Sequence, residues 1–414
     1  MNVIYILKPG ELTLKGGNRA GFERILIRNL RALLALRGLK GAGERVETTG
    51  GRYFVHCPRE AAPRAEDALN HLFGITGWAR TRSCEKNVES LLAACVEEGK
   101  ALYDRGLRSF KVEARRTDKS FPLDSYGICA ATGEAVRQAL PGFAVDVRAP
   151  QVIIQVEIRE RAYVYGMTRR GLRGLPVGTA GRGLLLLSGG IDSPVAGFRM
   201  ASRGMGLDAV YFHAFPYTGE EARQKVIRLA DTVGAYTLGI RLWTLGFTEI
   251  ERRIKAGAPE EWGTVMLRMA MMEAAEKLAR RIRAKCLITG ESLSQVASQT
   301  IENISCTESL TELPVLRPLI GTDKEEIITL ARSIGTYETS ILPYQDCCVL
   351  FSPAHPVLRG SVADARTHYR SLDLGQEIDR ALSDAVMEKC GAGRRCNEGS
   401  QPALKDLDIG RINA

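Results

Sequence analysis

The 414-residue sequence predicts an α/β protein in which an α+β N-terminal part precedes a doubly wound parallel sheet. Two observations support this fold class. From residue 183 onward, apolar strand patterns alternate with helix patterns, which is typical of a parallel sheet covered by helices on both faces. Before residue 180, short strands and amphipathic helices are mixed instead, and the strand over residues 151–158 alternates polar with apolar residues.

The first segment predicts a small α+β unit. A strand over residues 3–7 precedes a helix whose apolar residues recur on one face, and a second helix is expected over residues 61–73. Two paired strands, at residues 45–49 and 52–57, are joined by Gly50 and Gly51.

The second segment repeats this mixture. Helices are expected over residues 88–104 and 126–140, and strands over residues 109–114, 144–149 and 151–158. The two segments together therefore predict α+β structure ahead of the parallel sheet.

The third segment begins with four leucines after Gly183, which indicate a buried strand. Further strands are predicted over residues 209–214, 236–241 and 285–290, with helices over residues 220–233 and 264–283. In a sheet of this kind, ligands bind at the carboxyl ends of the strands.

The turn after the first of these strands, Ser188–Ser193, has the sequence Ser-Gly-Gly-Ile-Asp-Ser and is called the signature loop below. Its two glycines let a phosphate approach backbone N–H groups at the positive end of a helix dipole. Neither the Walker sequence nor the dinucleotide Gly-x-Gly-x-x-Gly is present. The loop resembles the pyrophosphate loop of the PP-loop ATP pyrophosphatases; the alternative is an ordinary turn between a strand and a helix.

The net charge of +9 is unevenly distributed. Residues 1–180 contain 29 Lys and Arg against 19 Asp and Glu, a balance of +10, whereas the rest has 28 against 29, a balance of −1. A basic N-terminal part predicts a nucleic-acid partner, and a solvated arginine-rich surface is the alternative. Six residues in two connections are candidate phosphate ligands: Arg115, Arg116, Lys119, Arg169, Arg170 and Arg173.

Three segments, Asn18–Arg24, Ser188–Gly197 and Thr289–Thr300, together resemble the tRNA 4-thiouridine synthetase family (ThiI, tRNA sulfurtransferase). The resemblance runs in a consistent order from about residue 2 to residue 360. It implies a ferredoxin-like domain over residues 1–60, a THUMP RNA-binding domain over 61–168, a PP-loop domain over 175–390 and a tail over 391–414. The first two domains would hold tRNA.

The resemblance also implies ATP as cosubstrate and Mg²⁺ as its metal. The family's nucleotide contacts match Leu186, Leu187, Ser188, Gly189, Gly190, Asp192, Ser193, Tyr211, Phe212, Arg268, Gly290 and Gln299. Arg268 is expected to neutralise phosphate charge, although a surface helix arginine is the alternative. Asp192 is expected to orient the metal or its water, and it also fits a helix N-cap. No cluster of residues is expected to hold a resident metal, since the spacing of Cys390 and Cys396 does not fit a zinc ribbon.

The reaction implied by the family is adenylation of a uridine C4 oxygen followed by its replacement with sulfur from a cysteine persulfide. The family's reactive cysteine aligns best with Cys347, and Cys348 is close enough to assist or replace it; two buried structural thiols are the alternative. The C-terminal rhodanese-like domain of longer members is not expected here, so a cysteine desulfurase or another donor, or Cys390 and Cys396, would supply the relay. Without a Cys-x-x-Cys pair, an iron–sulfur cluster is disfavoured, and the family's role in thiamine synthesis is not carried over.

Two other functions are open from the sequence. The chain could be another PP-loop tRNA modifier, of the 2-thiolation or lysidine type, or a non-catalytic THUMP RNA-binding protein. Neither an apolar run of about 20 residues nor a signal-peptide pattern is present, which predicts a cytoplasmic protein without a membrane partner. A homodimer is a further hypothesis.

Overall fold

A computed structural model describes residues 2–39, 45–49, 51–344, 353 and 355–391 of the chain. The chain divides into two compact units, Met1–Pro176 and Val177–Ala414. Among the described residues, no helix combines the length and the apolar character needed to cross a bilayer.

The N-terminal unit contains four helices and nine strands among its described residues. The helices are α1 (Arg19–Leu36), α2 (Ala62–Asn70), α3 (Val88–Tyr103) and α4 (Ser125–Ala139). The strands are β1 (Asn2–Pro9), β2 (Arg45–Thr49), β3 (Arg52–Pro58), β4 (Ile75–Cys84), β5 (Ser109–Arg116), β6 (Ala144–Val145), β7 (Val152–Ile158), β8 (Ala162–Tyr165) and β9 (Arg169–Arg170).

These nine strands form one mixed sheet in the order β2-β3-β1-β4-β8-β7-β5-β6, with β9 paired to β4. The ten-residue strand β4 pairs with β1 along its first part and with β8 along its last part. It therefore connects the strands β1 to β3 with the strands β5 to β8 in one sheet. No strand was predicted for these residues, in which Trp78 and Ala79 are buried and Arg80 is exposed.

Strand β5 extends two residues further than predicted. Arg115 and Arg116 were expected in a loop, but they pair with Glu157 and Ile158 of the parallel neighbour β7. The backbone hydrogen bonds of the neighbouring strand therefore override the polar character of this sequence.

The described residues of the C-terminal unit form helices and a second sheet. Its helices are α5 (Asp192–Ser202), α6 (Glu220–Thr237), α7 (Thr248–Gly257), α8 (Gly263–Arg281), α9 (Ile301–Glu308), α10 (Lys324–Ser333), α11 (Tyr337–Ser340), α12 (Val362–Leu372) and α13 (Gly375–Ser383). Its strands are β10 (Arg182–Leu186), β11 (Gly206–His213), β12 (Ile240–Gly246), β13 (Leu287–Ile288), β14 (Val315–Leu316) and β15 (Val386–Cys390).

These strands have the order β14-β13-β10-β11-β12-β15. The first five are mutually parallel, and β15 pairs antiparallel with β12 at the edge. The predicted parallel sheet is therefore confirmed. Residues 206–212 of β11 are all buried, as expected for a strand covered on both faces.

Two predicted strands have the wrong bounds. The strand expected over residues 144–149 covers only Ala144–Val145. Residues 236–241 were assigned to a strand, but α6 continues to Thr237 and β12 begins at Ile240. Leu238 and Gly239 both have positive φ, at 63° and 104°, and end the helix. The helix ends at a backbone conformation that the apolar pattern did not reveal.

A buried carboxylate holds the sheet of the N-terminal unit together. The Glu157 side chain is 2% exposed and accepts hydrogen bonds from Arg159 Nε (2.8 Å), Arg52 Nε (3.2 Å) and the Tyr165 hydroxyl (2.8 Å). Burial by itself raises the pKa of Glu157, but the charges of Arg52 and Arg159 outweigh it, and the pKa lies below its usual range.

Replacing this carboxylate should destabilise the N-terminal unit. Glu157→Gln leaves Arg159 buried without its counter-charge, and the expected loss is about 3 kcal/mol at neutral pH. The measurement is the opening free energy from hydrogen exchange of the β7 and β8 amides in the full chain. The control Glu134→Gln breaks an exposed pair with Arg137 and should change this energy by less than about 0.5 kcal/mol.

The difference between the Glu157→Gln variant and the wild type should also depend on pH. The folded-state pKa of Glu157 lies below its unfolded value of about 4.3. Its contribution to the free energy of unfolding is therefore complete when the pH is above the unfolded value. The contribution is lost as the pH falls through the folded-state pKa, so the difference should shrink on acidification. A constant difference from pH 7 to pH 3 would contradict this assignment.

Candidate active site

The site lies where the parallel strands β10, β11 and β13 end. Their pairings place Leu186 beside Val210, and Leu185 beside Ile288, so the segments after these strands meet at one edge of the sheet. The predicted position of the signature loop, at the carboxyl end of a strand, is confirmed.

Internal hydrogen bonds fix the shape of the signature loop. Ser193 Oγ accepts from the Ser188 backbone N–H at 2.9 Å, and the Gly190 N–H donates to Ser188 Oγ at 3.3 Å. The expected N-cap role of Asp192 is wrong, because Ile191 occupies the N-cap of α5 and the Asp192 carboxylate bonds elsewhere. The two serines thus brace the loop across its ends.

Gly290 lets the end of β13 approach the loop closely. A Cβ at this position would lie 2.7 Å from the backbone N of Ser193 and 2.8 Å from its Cα. Real side chains do not reach such distances to backbone atoms, so the position requires glycine.

A cavity of about 180 Å³ opens between these segments. Its wall contains Leu186, Leu187, Ser188, Gly190, Asp192, Ser193, Tyr211, Phe212, Arg268, Met271, Met272, Thr289, Gly290, Glu291 and Gln299. The structure therefore brings together every predicted nucleotide contact except Gly189, which lies within the loop itself. That these residues bind ATP stays a prediction.

Four wall residues were not among the predicted contacts: Met271, Met272, Thr289 and Glu291. The methionines follow Arg268 by three and four residues and so lie on the same helix face. Thr289 and Glu291 directly follow β13, and their position at a carboxyl strand end is a signal that could have identified them.

Glu291 connects two arginines beside the cavity. Its side chain is 4% exposed; one carboxylate oxygen accepts from Arg268 Nη2, and the other accepts from Arg317 Nε at 2.7 Å and Thr289 Oγ1 at 2.9 Å. Burial alone raises the pKa of Glu291, but the two guanidinium charges outweigh it and lower the pKa. The carboxylate therefore stays ionised.

Arg268 retains capacity for a ligand. Its Nε is buried and has no hydrogen-bond partner among the described residues. Because Arg268 also lines the cavity, its positive charge lies where it can attract an anionic group. The structure thus places Arg268 on the cavity wall instead of the open surface.

Asp192 is held by two residues that are distant in sequence. Lys324 Nζ lies 2.6 Å from one carboxylate oxygen, and Gln295 Nε2 lies 2.9 Å from the other. Lys324 was missed by the sequence analysis, although a lysine in the first turn of a helix opposes the helix dipole and was a possible signal. The described residues contain no cluster of three or more metal-ligating side chains.

The chain that leads to Cys347 and Cys348 starts beside the signature loop. Ser340 Oγ donates to the Gly190 carbonyl at 3.2 Å, and Lys225 Nζ donates to the carbonyls of Leu342 (2.8 Å) and Tyr344 (3.3 Å). Cys347, Cys348 and Cys396 lie outside the described residues.

Cys390 does not lie in a tail. It ends the edge strand β15, pairs with Ile240 and is 1% exposed. Its expected role as a substitute relay thiol is therefore disfavoured, because a buried thiol cannot be reached by a sulfur donor.

The N-terminal unit has its own cavity, of about 970 Å³. Five arginines line it, Arg59, Arg80, Arg82, Arg105 and Arg169, together with Glu66, Glu97, Glu98 and Trp78. The Arg169 guanidinium is 5.2 Å from the centre of the Trp78 ring. The Trp78 ring is itself buried, so the exposed part of this contact is the Arg169 guanidinium, a group that can bind nucleic-acid phosphate.

The other predicted phosphate ligands are dispersed over this unit. Arg116 Nη1 donates to three loop carbonyls, those of Lys119, Phe121 and Leu123, and so supports the loop. Arg170 pairs with Gly77 in the two-residue strand β9, and Arg173 has a positive φ of 61°. The structure does not gather all six residues into one site.

Comparison with known proteins identifies relatives for the whole described fold. Residues 4–79 match the ThiI ferredoxin-like domain, residues 85–166 the THUMP domain, and residues 178–374 the family described as thiamine biosynthesis protein (ThiI). A probable tRNA sulfurtransferase of Treponema pallidum (strain Nichols) is 48% identical over 381 residues, which cover 91% of this chain and 94% of the relative.

A second probable tRNA sulfurtransferase, from Caldanaerobacter subterraneus subsp. tengcongensis, is 42% identical over 93% of this chain and 100% of its own length. Among solved structures, a 4-thiouridine synthetase in complex with RNA and bound ATP matches with a TM-score of 0.87 and 33% identity. The match covers 94% of this chain and 100% of that chain.

The Glu291 contacts predict an effect on nucleotide affinity. In Glu291→Gln, Arg268 and Arg317 lose their shared counter-charge and Arg268 is no longer held at the cavity wall, so ATP affinity should fall about 10-fold, the effect of one lost charged hydrogen bond. Equilibrium ATP binding measures this change. The matched control Glu308→Gln removes the other carboxylate on Arg317 but leaves Arg268 paired, and its affinity should stay within about 2-fold of wild type. Equal affinities of wild type and Glu291→Gln would refute the positioning role.

Proposed function

The chain belongs to the ThiI family, and on this premise we propose that it is an ATP-dependent tRNA sulfurtransferase that converts a uridine of tRNA, expected at the eighth nucleotide, to 4-thiouridine. The observation that supports this most directly is the cavity at the carboxyl edge of the parallel sheet. Its wall combines the signature loop, Arg268 and two strand ends in the arrangement expected for a nucleoside triphosphate.

The first step is adenylation. The uridine C4 oxygen attacks the α-phosphorus of ATP, a P–O bond to pyrophosphate breaks, and the uridine carries AMP on its former carbonyl oxygen. The negative charge on the phosphates is balanced by the N–H groups of the signature loop at the start of α5 and by Arg268. Gly290 lies directly against the Ser193 backbone in this part of the cavity wall, and no side chain fits between them.

Mg²⁺ is proposed to accompany the nucleotide. This ion is commonly held by one or two carboxylates together with the phosphates of its substrate. Asp192 is the carboxylate that fits, since it lies in the signature loop and its two oxygens keep lone pairs beyond the bonds to Lys324 and Gln295. Glu291 is already shared between two arginines.

The second step is sulfur transfer, for which we propose Cys347 as persulfide carrier. The terminal sulfur bonds to C4 and AMP leaves with the former oxygen; the thiolate of Cys348 then attacks Cys347 Sγ, which releases the thiocarbonyl and forms a disulfide that an external thiol reduces. The nearby described cysteines are poor candidates, because burial raises the pKa of Cys286 and Cys306. A cysteine desulfurase or a similar donor would load the persulfide.

RNA is proposed to bind the N-terminal unit. Arg169 supports this because it is 62% exposed, lines the large cavity and stacks beside Trp78. Arg115, Lys119, Arg170 and Arg173 would add phosphate contacts outside that cavity. The division of the unit into domains over residues 1–60 and 61–168 stays a prediction. A homodimer also stays a prediction, and gel filtration would test it.

Reconstitution tests the proposed reaction. The full chain, unmodified tRNA, ATP, Mg²⁺, dithiothreitol and a cysteine desulfurase with cysteine should give 4-thiouridine, AMP and pyrophosphate. Cys347→Ser should give no 4-thiouridine above background, because serine cannot hold a persulfide, whereas Cys348→Ser should retain activity because dithiothreitol replaces its thiol. Nucleoside analysis of the tRNA is the measurement.

Several outcomes would contradict the assignment. Activity in Cys347→Ser together with loss in Cys348→Ser would transfer the carrier role to Cys348. A 2-thiouridine or lysidine product would identify another tRNA modifier. RNA binding without RNA-dependent pyrophosphate release would identify a non-catalytic RNA-binding protein, and unchanged activity without divalent cations would exclude the proposed Mg²⁺.

The proposed RNA contact of Arg169 can be tested by salt dependence. Arg169→Gln should weaken tRNA binding and reduce the slope of log affinity against log salt by about one, since one phosphate contact is lost. Arg137→Gln is the matched control, because Arg137 lies on α4 in an exposed pair with Glu134 and should leave the slope unchanged. A slope unaltered by Arg169→Gln would remove this residue from the RNA interface.

A further inference from the structure

A row of aromatic rings leads from the candidate active site to the surface. Tyr211, His213 and Phe215 alternate along β11 and the residues after it, so they share one face of the chain. The ring centres of Tyr211 and His213 are 5.8 Å apart, and those of His213 and Phe215 are 6.4 Å apart. Tyr211 lines the cavity and is 2% exposed, whereas Phe215 is 66% exposed.

The exposed phenylalanine sits on a well-braced turn. The Thr218 N–H donates to the Ala214 carbonyl at 2.9 Å, and the Ala214 N–H donates to Thr218 Oγ1 at 3.0 Å. Thr248 Oγ1 donates to the Phe215 carbonyl at 2.6 Å. These bonds fix the backbone that carries the exposed ring, as in loops that position binding residues on a rigid scaffold.

A cation lies beside the same turn. Tyr217 is 48% exposed, and the guanidinium carbon of Arg252 is 5.9 Å from the centre of its ring. The turn thus combines two exposed aromatic rings with a positive charge, and it follows the cavity residues Tyr211 and Phe212 directly in the chain. This combination matches an unstacked nucleotide, whose base stacks on a ring while its phosphate meets an arginine.

The proposed reaction requires a base of this kind. The uridine C4 oxygen must reach the α-phosphorus of ATP in the cavity, and a base within folded RNA can do so only after it leaves its stack. Unstacking costs a few kcal/mol, which a protein offsets with an aromatic ring against the extruded base.

We propose that Phe215 is the stacking platform for the extruded target uracil, with Tyr217 and Arg252 holding the adjoining nucleotide. This proposal rests on the proposed function, and it identifies the residue on which the target base would stack. Phe215 is a substrate-contacting residue in this assignment, and His213 lies between it and Tyr211 on the cavity wall.

RNA-dependent release of pyrophosphate from ATP tests this assignment, because it requires no sulfur donor. Phe215→Leu keeps an apolar side chain but removes the ring face, and kcat/KM for tRNA should fall about 10-fold, while ATP affinity stays unchanged. Phe215→Tyr should restore the rate to near the wild-type value. The matched control Leu358→Ala truncates another exposed apolar side chain of this unit, 54% exposed, and should leave the rate unchanged.

The outcomes separate this inference from the function on which it rests. A wild type that releases no pyrophosphate with tRNA would overturn the proposed function and the inference with it. An active wild type whose kcat/KM is matched by Phe215→Leu would overturn the inference alone. If Phe215→Leu adenylates normally but loses only thiolation driven by a desulfurase, the turn docks the donor protein, and the inference is also wrong.

Discussion

The candidate active site depends on one buried carboxylate shared by two arginines. Glu291 follows β13, Arg268 lies on α8, and Arg317 follows β14, so their contacts fix three separate parts of the chain around the cavity. Each arginine would be costly to bury without this counter-charge. The same pairing keeps the Arg268 guanidinium at the cavity wall.

Close backbone packing supplies the second constraint. Gly290 lies against Ser193 at a distance that excludes any side chain, so the end of one strand forms a wall directly beside the first turn of α5. Asp192 on that turn then comes within reach of Lys324, which is 132 residues away in sequence. Electrostatic pairing and a missing Cβ together define the shape of the cavity beside the signature loop.

Two further segments start at this edge of the sheet. The Ser340 hydroxyl donates a hydrogen bond to the Gly190 carbonyl in the signature loop. The aromatic row from Tyr211 to Phe215 continues from β11, the strand next to β10. Residues of the signature loop and of β11 thus contribute to the same cavity wall.

The sequence by itself determined the fold class, the signature loop and nearly the whole wall of the cavity, because a buried parallel strand followed by glycines has few structural alternatives and the family resemblance fixed the distant positions. It did not locate β4, the end of α6 or the pairing of Arg115 and Arg116, since these depend on neighbouring strands and on backbone conformation more than on local pattern. Only the tertiary structure revealed Lys324 on Asp192, the Glu291 network and the ring row to Phe215. Such contacts join residues that are far apart in the chain or at a turn, where spacing along the sequence carries no information about distance.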